Sequence, residues 1–263
     1  MIALSDGELY LEVHEAGAYV SALRRRDVDV LLRGDPRRPT KGGMAFLAPY
    51  ANRVRGGSYE FEGRRYELPR SAEGHAIHGL VLDSEFEVED LEVDRVSLKG
   101  ALRHPGYPSE LLLRVTYELG GLLMASAAVT NVGERRAPLV VGWHPYFLVK
   151  GGWAIRPSGQ ALRCESVDRI PTGRLVPHSF GPDGSYDDCF YVESGEVELD
   201  TGEGSILVRG SGMRFFQVYT GVPGAVAVEP MSGAPDAYHN GLGLTVIGPG
   251  ETREFSFTVS FRP

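Results

Sequence analysis

The segment Phe255-Ser256-Phe257-Thr258-Val259-Ser260-Phe261 alternates apolar and polar residues without a break. A period of two puts every apolar side chain on one face of an extended chain, so the segment predicts a strand with one buried face and one wet face. The same period recurs at Leu9, Leu11 and Val13, at Phe86 and Val88, at Leu91 and Val93, and at Val197 and Leu199. Turn formers separate these runs at short intervals: 34 glycines and 17 prolines, including Gly56-Gly57, Gly151-Gly152, Gly202, Gly210 and Gly248-Pro249-Gly250. Gly63 lies between Tyr59–Glu62 and Arg64–Leu68 and predicts a hairpin, and Gly120-Gly121 separates Leu111–Leu119 from Leu122–Asn131 in the same way. No amphipathic helix of about ten residues or more is found. Many short strands with such punctuation predict an all-β chain, folded as a large antiparallel β-sandwich of two sheets packed face to face. With no low-complexity linker and no fixed-period repeat, residues 1–263 are expected to form a single domain.

Composition narrows the function. An apolar fraction of 42% supports a sizeable core, and a net charge of −8 argues against a general nucleic-acid binder. The densest basic cluster, Arg24-Arg25-Arg26, is followed at once by Asp27 and Asp29 and reads as a solvated strand end. No stretch approaches the roughly 20 apolar residues that span a bilayer, so no membrane association is expected. The first residues carry no signal-peptide pattern, and a cytoplasmic location is expected. The two cysteines, Cys164 and Cys189, read as free thiols, with one disulfide left open.

Seven histidines are available for chemistry. His14, His104 and His178 stand in polar or turn-like contexts and read as surface residues. His75 and His78 form His-x-x-His, but glycines bracket the pair and no third ligand completes a zinc site, so no metal is expected. Neither a Gly-x-Ser-x-Gly elbow nor a phosphate-cradling glycine loop occurs. His144 within Gly142-Trp143-His144-Pro145-Tyr146-Phe147, His78 before Gly79, and Glu229 before Pro230 remain. Histidine, with an unperturbed pKa near ~6.5, exchanges protons near neutrality, and a carboxylate ending an apolar strand becomes a useful base when burial raises its pKa. Taken singly, each also fits an ordinary core or strand-end role. Trp143, Tyr146 and Phe147 are the nearest aromatic candidates for a wall on which a sugar ring could lie, and core packing is the alternative for each.

From about Gly42 onward the chain resembles the aldose 1-epimerase (mutarotase) family. The matching pieces run in the family's order: Asn52-Arg53 ahead of Gly57, Tyr59 and Gly63; His78-Gly79; Gly106-Tyr107-Pro108 before a strand with Tyr117; His144-Pro145-Tyr146-Phe147; Asp187-Asp188-Cys189-Phe190; and Glu229-Pro230-Met231 before Pro235-Asp236-Ala237. The resemblance implies a galactose mutarotase-like supersandwich and an isomerase that interconverts the α and β anomers of a hexose or related aldose by acid–base ring opening and closure. It implies Glu229 as general base, His144 as general acid and His78 as a second histidine near the reacting oxygens. Arg53, Asn52, Asp187 and Trp143 are then expected to bind the sugar. No cofactor is required, and the expected partner is a small-molecule sugar, with the protein a monomer or homodimer.

Departures leave the sugar open. Val141-Gly142-Trp143 stands before His144, where galactose mutarotases carry Asn and Thr or Ser, and Leu148-Val149 follows Phe147 in place of Asn-Leu. A hexose-6-phosphate 1-epimerase is one alternative. It needs an extra cation in the pocket, and Arg55, Arg64 and Arg70 lie in the right part of the sequence. A non-catalytic sugar-binding or regulatory module on the same fold is a second, and a carbohydrate-cleaving enzyme a third.

Overall fold

The computed structural model describes residues 1–262. Two antiparallel sheets dominate. The larger runs from edge to edge through Ile2–Ser5, Leu9–His14, Tyr19–Arg25, Met44–Leu47, Gly142–Leu148, Ala225–Met231, Phe215–Val222, Asp187–Val192, Ala161–Val167 and Ile170–His178. The smaller runs through Glu87–Leu91, Arg95–Leu102, Leu111–Leu119, Leu123–Asn131, Thr252–Arg262, Ser205–Ser211, Glu196–Asp200 and Ala154–Pro157. The only α-helix among the described residues is the single turn Ala237–Asn240. None of their helices is long and apolar enough to cross a membrane.

The two sheets pack face to face, and period-two alternation supplies the seam. In Leu111–Leu119 every odd-numbered residue is buried, and the same holds for Leu123–Asn131. Phe255, Phe257 and Val259 are buried while Ser256 and Thr258 between them are not. Burying one such side chain contributes about 1.5–3 kcal/mol, and the seam collects dozens. Trp143 of the larger sheet meets Phe257 of the smaller with ring centroids 5.1 Å apart. The Tyr117 hydroxyl crosses between the layers and donates to the Ala18 carbonyl at 2.7 Å.

Two expected turns form as the residues dictate. Glu62 and Gly63, at φ 50° and 71°, close the hairpin between Ser58–Phe61 and Arg64–Glu67. That pair of left-handed residues matches the twist of the flanking strands. The Gly120-Gly121 connection likewise joins its two strands. One expectation fails. Val88, Leu91 and Val93 are 40%, 53% and 75% exposed, although their alternation predicts a buried face. They belong to or follow the outermost strand, whose pairing is broken by a bulge between Val88 and Asp90 and whose sequence is mostly acidic. This is how a sheet edge is kept from recruiting another strand. Phe86, just before it, is buried.

The central strands of the larger sheet behave differently. Gly142–Phe147 and Ala225–Met231 are buried on both faces. One face packs on the smaller sheet. The connections around residues 48–84 and 232–244 cover part of the other, where Ala45, Leu47, Ala51, Met231 and Ala234 share a second apolar cluster. The candidate site opens on this second face.

Candidate active site

Strand register brings the reactive residues into one row. Gly142 pairs with Met231 and Tyr146 with Ala227, so His144 and Glu229 stand at the same level on neighbouring strands. Glu229 pairs in turn with Gln217, and Gln217 with Cys189. Adjacent antiparallel residues on one face lie within side-chain reach. Accordingly His144 Nε2 is 3.3 Å from Glu229 Oε1, with both side chains buried. One step along the sheet, Tyr219 pairs with both Ala227 and Asp187. These residues and the loops above enclose a cavity of about 140 Å³, lined by Thr40, Lys41, Asn52, Arg53, Glu73, Ile77, His78, His144, Tyr146, Arg169, Asp187, Tyr219 and Glu229. That is well below the roughly 300–1,000 Å³ of drug-sized sites, so the cavity has room for a small molecule only.

The loops are pinned by unusual backbone. Asn52 and His78 adopt φ 57° and 64°, a left-handed conformation that non-glycine residues adopt at a cost. His78 N–H donates to the Asn52 carbonyl at 2.9 Å, joining the two. Gly79 follows at φ 85°, and a Cβ there would lie 2.3 Å from the Ala48 carbonyl oxygen, so the His-Gly pair is a steric requirement of this loop. The Asn52 side-chain oxygen accepts from the Arg53 backbone N–H at 2.9 Å and from its guanidinium at 3.2 Å, aiming the buried Arg53 side chain across the cavity. There Arg53 meets Glu73 at 2.9 Å and Asp187 at 3.8 Å. Gln217 Nε2 donates to the other Asp187 oxygen at 2.9 Å.

Electrostatics push the central pair away from ordinary titration. Burial raises the Glu229 carboxyl well above the usual range, and the Asp187 charge adds to this against a smaller opposing effect of Arg53. Burial pushes His144 well below its usual value, helped by His78 and Lys41. His78 is lowered to about 3 by burial first, then by Arg53 and Lys41. Both directions favour the uncharged forms, a protonated carboxyl facing a neutral imidazole. Glu229 Oε2, His144 Nδ1 and His78 Nδ1 are buried without a hydrogen-bond partner among the described residues. Such groups cost free energy until a ligand's polar groups meet them. The His144 ring stacks on Tyr146 at 4.6 Å and 20°, and Tyr146 is held by donating to the Thr40 carbonyl at 2.9 Å.

Six of the residues singled out from sequence thus meet at one cavity: Glu229, His144, His78, Arg53, Asn52 and Asp187. Trp143 does not. It is fully buried on the opposite face of the sheet, 5.2 Å from Phe46 between ring centroids, with Nε1 donating to the Tyr117 hydroxyl at 3.3 Å. The reason is the strand itself: neighbours in sequence point to opposite faces, so Trp143 and Phe147 belong to the core while His144 and Tyr146 reach the site. Arg55, Arg64 and Arg70 also lie outside the cavity. His75 turns away to accept from the Gly56 N–H at 3.0 Å. Sequence reasoning missed Lys41, Glu73, Arg169 and Tyr219. A larger groove of about 340 Å³ lies elsewhere, beside Val28, Leu148, Ile206 and Phe261. The cations on its rim are paired at the surface, Arg25 and Arg26 with Glu8, Lys150 with Glu203 and Arg262 with Glu198.

The chain is similar to several known proteins. A family model described as "Aldose 1-epimerase" matches residues 1–260. The chain is 25% identical to YihR of Escherichia coli strain K12 over 289 residues, covering 98% of this chain and 92% of that protein. It is 27% identical over 148 residues to galactose mutarotase of Homo sapiens, covering 51% of this chain and 42% of that protein. The crystal structure of a GalM/aldose epimerase homologue from C. elegans superimposes with a TM-score of 0.86 at 15% identity, covering 99% of this chain and 98% of that one.

Proposed function

The chain belongs to the aldose 1-epimerase family, and from that premise we propose that it interconverts the α and β anomers of an aldose by moving protons between Glu229, His144 and the sugar. The observation that carries the proposal is the 3.3 Å approach of His144 Nε2 to Glu229 Oε1 at one wall of a cavity sized for a monosaccharide.

The proton inventory fits the reaction. The pair holds one proton, and transfer across 3.3 Å turns protonated Glu229 and neutral His144 into carboxylate and imidazolium without changing the net charge. In that form Glu229 takes the proton from the anomeric hydroxyl as the C1–O1 bond becomes a carbonyl. The C1–O5 bond breaks, and O5 takes the proton from His144. The open-chain aldehyde then faces a protonated Glu229 and a neutral His144, the protonation that burial favours at rest. Rotation about C1–C2 presents the other carbonyl face. Closure returns the O5 proton to His144 and the Glu229 proton to O1. No electron leaves the sugar and no group is transferred, so two positioned proton carriers suffice, each worth about 10²–10⁴-fold. Arg53, Asn52 and Asp187 hold the ring hydroxyls by directional hydrogen bonds, His78 bonds near the reacting oxygens, and Tyr146 offers an apolar edge beside His144.

Exchange NMR and polarimetry on freshly dissolved α-glucose, galactose and xylose test the proposal. Anomer exchange faster than the spontaneous rate in the same buffer is expected for at least one aldose. A panel of neutral and acidic aldoses that all relax at the spontaneous rate would overturn it.

A further inference from the structure

We propose that Asp236 is a positioning residue for the sugar site: it ties the backbone of Arg53 to the strand that carries Glu229, and through Arg53 it sets the affinity for the substrate. The inference rests on the epimerase reading, which gives Arg53 the ring hydroxyls. Asp236 lies outside the cavity and has no part in the proton transfers.

Arg53 needs such a partner. Its side chain is buried, but its backbone belongs to a ladder of two residue pairs, Arg53 with Ile77 and Val54 with Ala76. A two-stranded ribbon is marginal in water and does not fix a side chain by itself. Successive carbonyls of an extended chain point to opposite edges. The Asn52 carbonyl accepts from His78 N–H at 2.9 Å, and the next one, of Arg53, accepts from Asp236 N–H at 2.7 Å. The Asp236 carboxylate then takes the Arg55 N–H at 2.8 Å. One residue thus brackets Arg53-Val54-Arg55 at both ends and supplies the edge that the ladder lacks.

Asp236 is itself held from every side. It is 2% exposed and adopts φ 60°, a left-handed conformation that costs a residue with a Cβ. Its carbonyl accepts from the N–H groups of His239 at 2.8 Å and Asn240 at 3.0 Å, and His239 Nδ1 lies 2.6 Å from the same carboxylate oxygen that takes Arg55. The chain leading to it from Glu229 is bonded on the way. Met231 pairs with Gly142, Ser232 N–H donates to the Val141 carbonyl at 2.8 Å, and Val141 N–H donates to Ser232 Oγ at 2.9 Å. The strand of the proposed base therefore continues, through bonded backbone, to the residue that grips the hydroxyls.

The consequence is kinetic. Without the carboxylate, Arg55 N–H turns to water and a single bond from Asp236 retains the strand. The guanidinium of Arg53 then spreads over more positions, and hydrogen bonds to hydroxyls weaken steeply as their angles worsen. Arg53 holds the ring and moves no proton, so the loss should fall on KM.

The test is anomer-exchange NMR on the full-length protein, at varied concentration of the aldose that the wild type turns over best. Wild type, Asp236→Ala, Asp236→Asn, Arg53→Ala and the double variant Asp236→Ala/Arg53→Ala are compared. Asp236→Ala should raise KM by roughly three- to tenfold, the scale of one hydrogen bond. Its kcat should stay within about twofold, as expected when only ground-state binding is lost. Asp236→Asn keeps an oxygen acceptor in place and should restore KM. In the Arg53→Ala background, Asp236→Ala should change KM no further, because nothing remains to be positioned. A KM unmoved in Asp236→Ala, or raised by the same factor with and without Arg53, overturns the inference while leaving the epimerase reading intact. If Asp236→Ala does not fold, His239→Ala frees the same carboxylate from a partly exposed neighbour; it must raise KM, and only while Arg53 is present, or the inference falls. If no aldose exchanges faster than in buffer, the epimerase reading falls. Calorimetric affinities for glucose, galactose and xylose then replace KM in the same comparison, and a wild type that binds none of them ends the positioning role as well.

Discussion

Replacing Glu229 with Gln keeps the shape of the side chain and the uncharged state that burial imposes on it at rest. The fold should therefore survive, with a thermal midpoint at neutral pH no lower than that of the wild type. Activity should not survive. An amide cannot take the anomeric proton, and the loss of one general base costs about 10²–10⁴-fold, or about 2.7–5.5 kcal/mol at 1.36 kcal/mol per tenfold. The structure adds a second loss. In the proposed mechanism His144 Nε2, 3.3 Å away, obtains its proton from this carboxyl and keeps it only beside the resulting carboxylate. Without Glu229 the buried imidazole stays neutral, and the acid disappears with the base. His144→Gln fails for the mirror reason, because Glu229 then has nowhere to send its proton. The two residues act as one unit, so their effects should not add. Exchange NMR on Glu229→Gln, His144→Gln and the double variant should find the double variant within about tenfold of either single one. A double variant whose loss equals the product of the two single losses would refute the shared proton. An unchanged rate in Glu229→Gln would remove that residue from the chemistry altogether.

Acid should destabilise the fold through the same cavity. Because His78 is lowered to about 3 and His144 is also pushed down, their contribution to stability is complete above the unfolded value near ~6.5 and is lost as pH falls from there towards about 3. Each proton taken up on unfolding adds a slope of up to about 1.4 kcal/mol per pH unit, so urea unfolding between about pH 7 and pH 5 should steepen with two such groups and flatten in His78→Asn. Glu229 has the opposite sign: its raised carboxyl favours the fold below about 4.5 and loses that contribution as pH rises through its folded value, so Glu229→Gln should be relatively more stable on the alkaline side. Trp143→Phe should cost about 1–3 kcal/mol of stability, because it opens a gap between the sheets and removes the bond to Tyr117, while leaving KM for the sugar unaltered; a raised KM would return Trp143 to the binding site. Cys164 and Cys189 are both free and buried, so a thiol reagent should label the native protein slowly and find both thiols once it is unfolded without reductant; fewer than two would show a disulfide.

How much of this was legible in the sequence depends on which physical rule each feature obeys. Alternation in Leu9–Val13, Val197–Leu199 and Phe255–Phe261 reports burial directly, so the sheets could be read from it. The same rule fails at Val88–Val93 because an edge strand can keep the pattern without a layer to bury it. Within Gly142–Phe147 parity alone separates Trp143 from His144, so expecting both at the site contradicted the very period that predicted the strand. The residues that sequence reasoning missed share a different cause. Arg169 sits at the tip of a hairpin whose two turn residues, Asp168 and Arg169, adopt φ 49° and 65°, the geometry usually signalled by Asn-Gly. Lys41 and Glu73 stand in loops where no period applies, and their relevance comes from what lies opposite them. His144 and Glu229 were recognisable as single reactive residues, but their chemistry is a property of the pair. In the proposed reaction one proton shared across 3.3 Å supplies acid and base together, and the pair exists only because two strands, from distant parts of the chain, are matched in the one register that sets an imidazole beside a carboxylate on the same face. A slip of one residue between Gly142–Leu148 and Ala225–Met231 would turn one of the two toward the core. The buried seam that fixes this register, with Trp143 and Phe147 on one strand and Val226 and Val228 on the other, is therefore as necessary to the proposed catalysis as the two residues assigned to the proton.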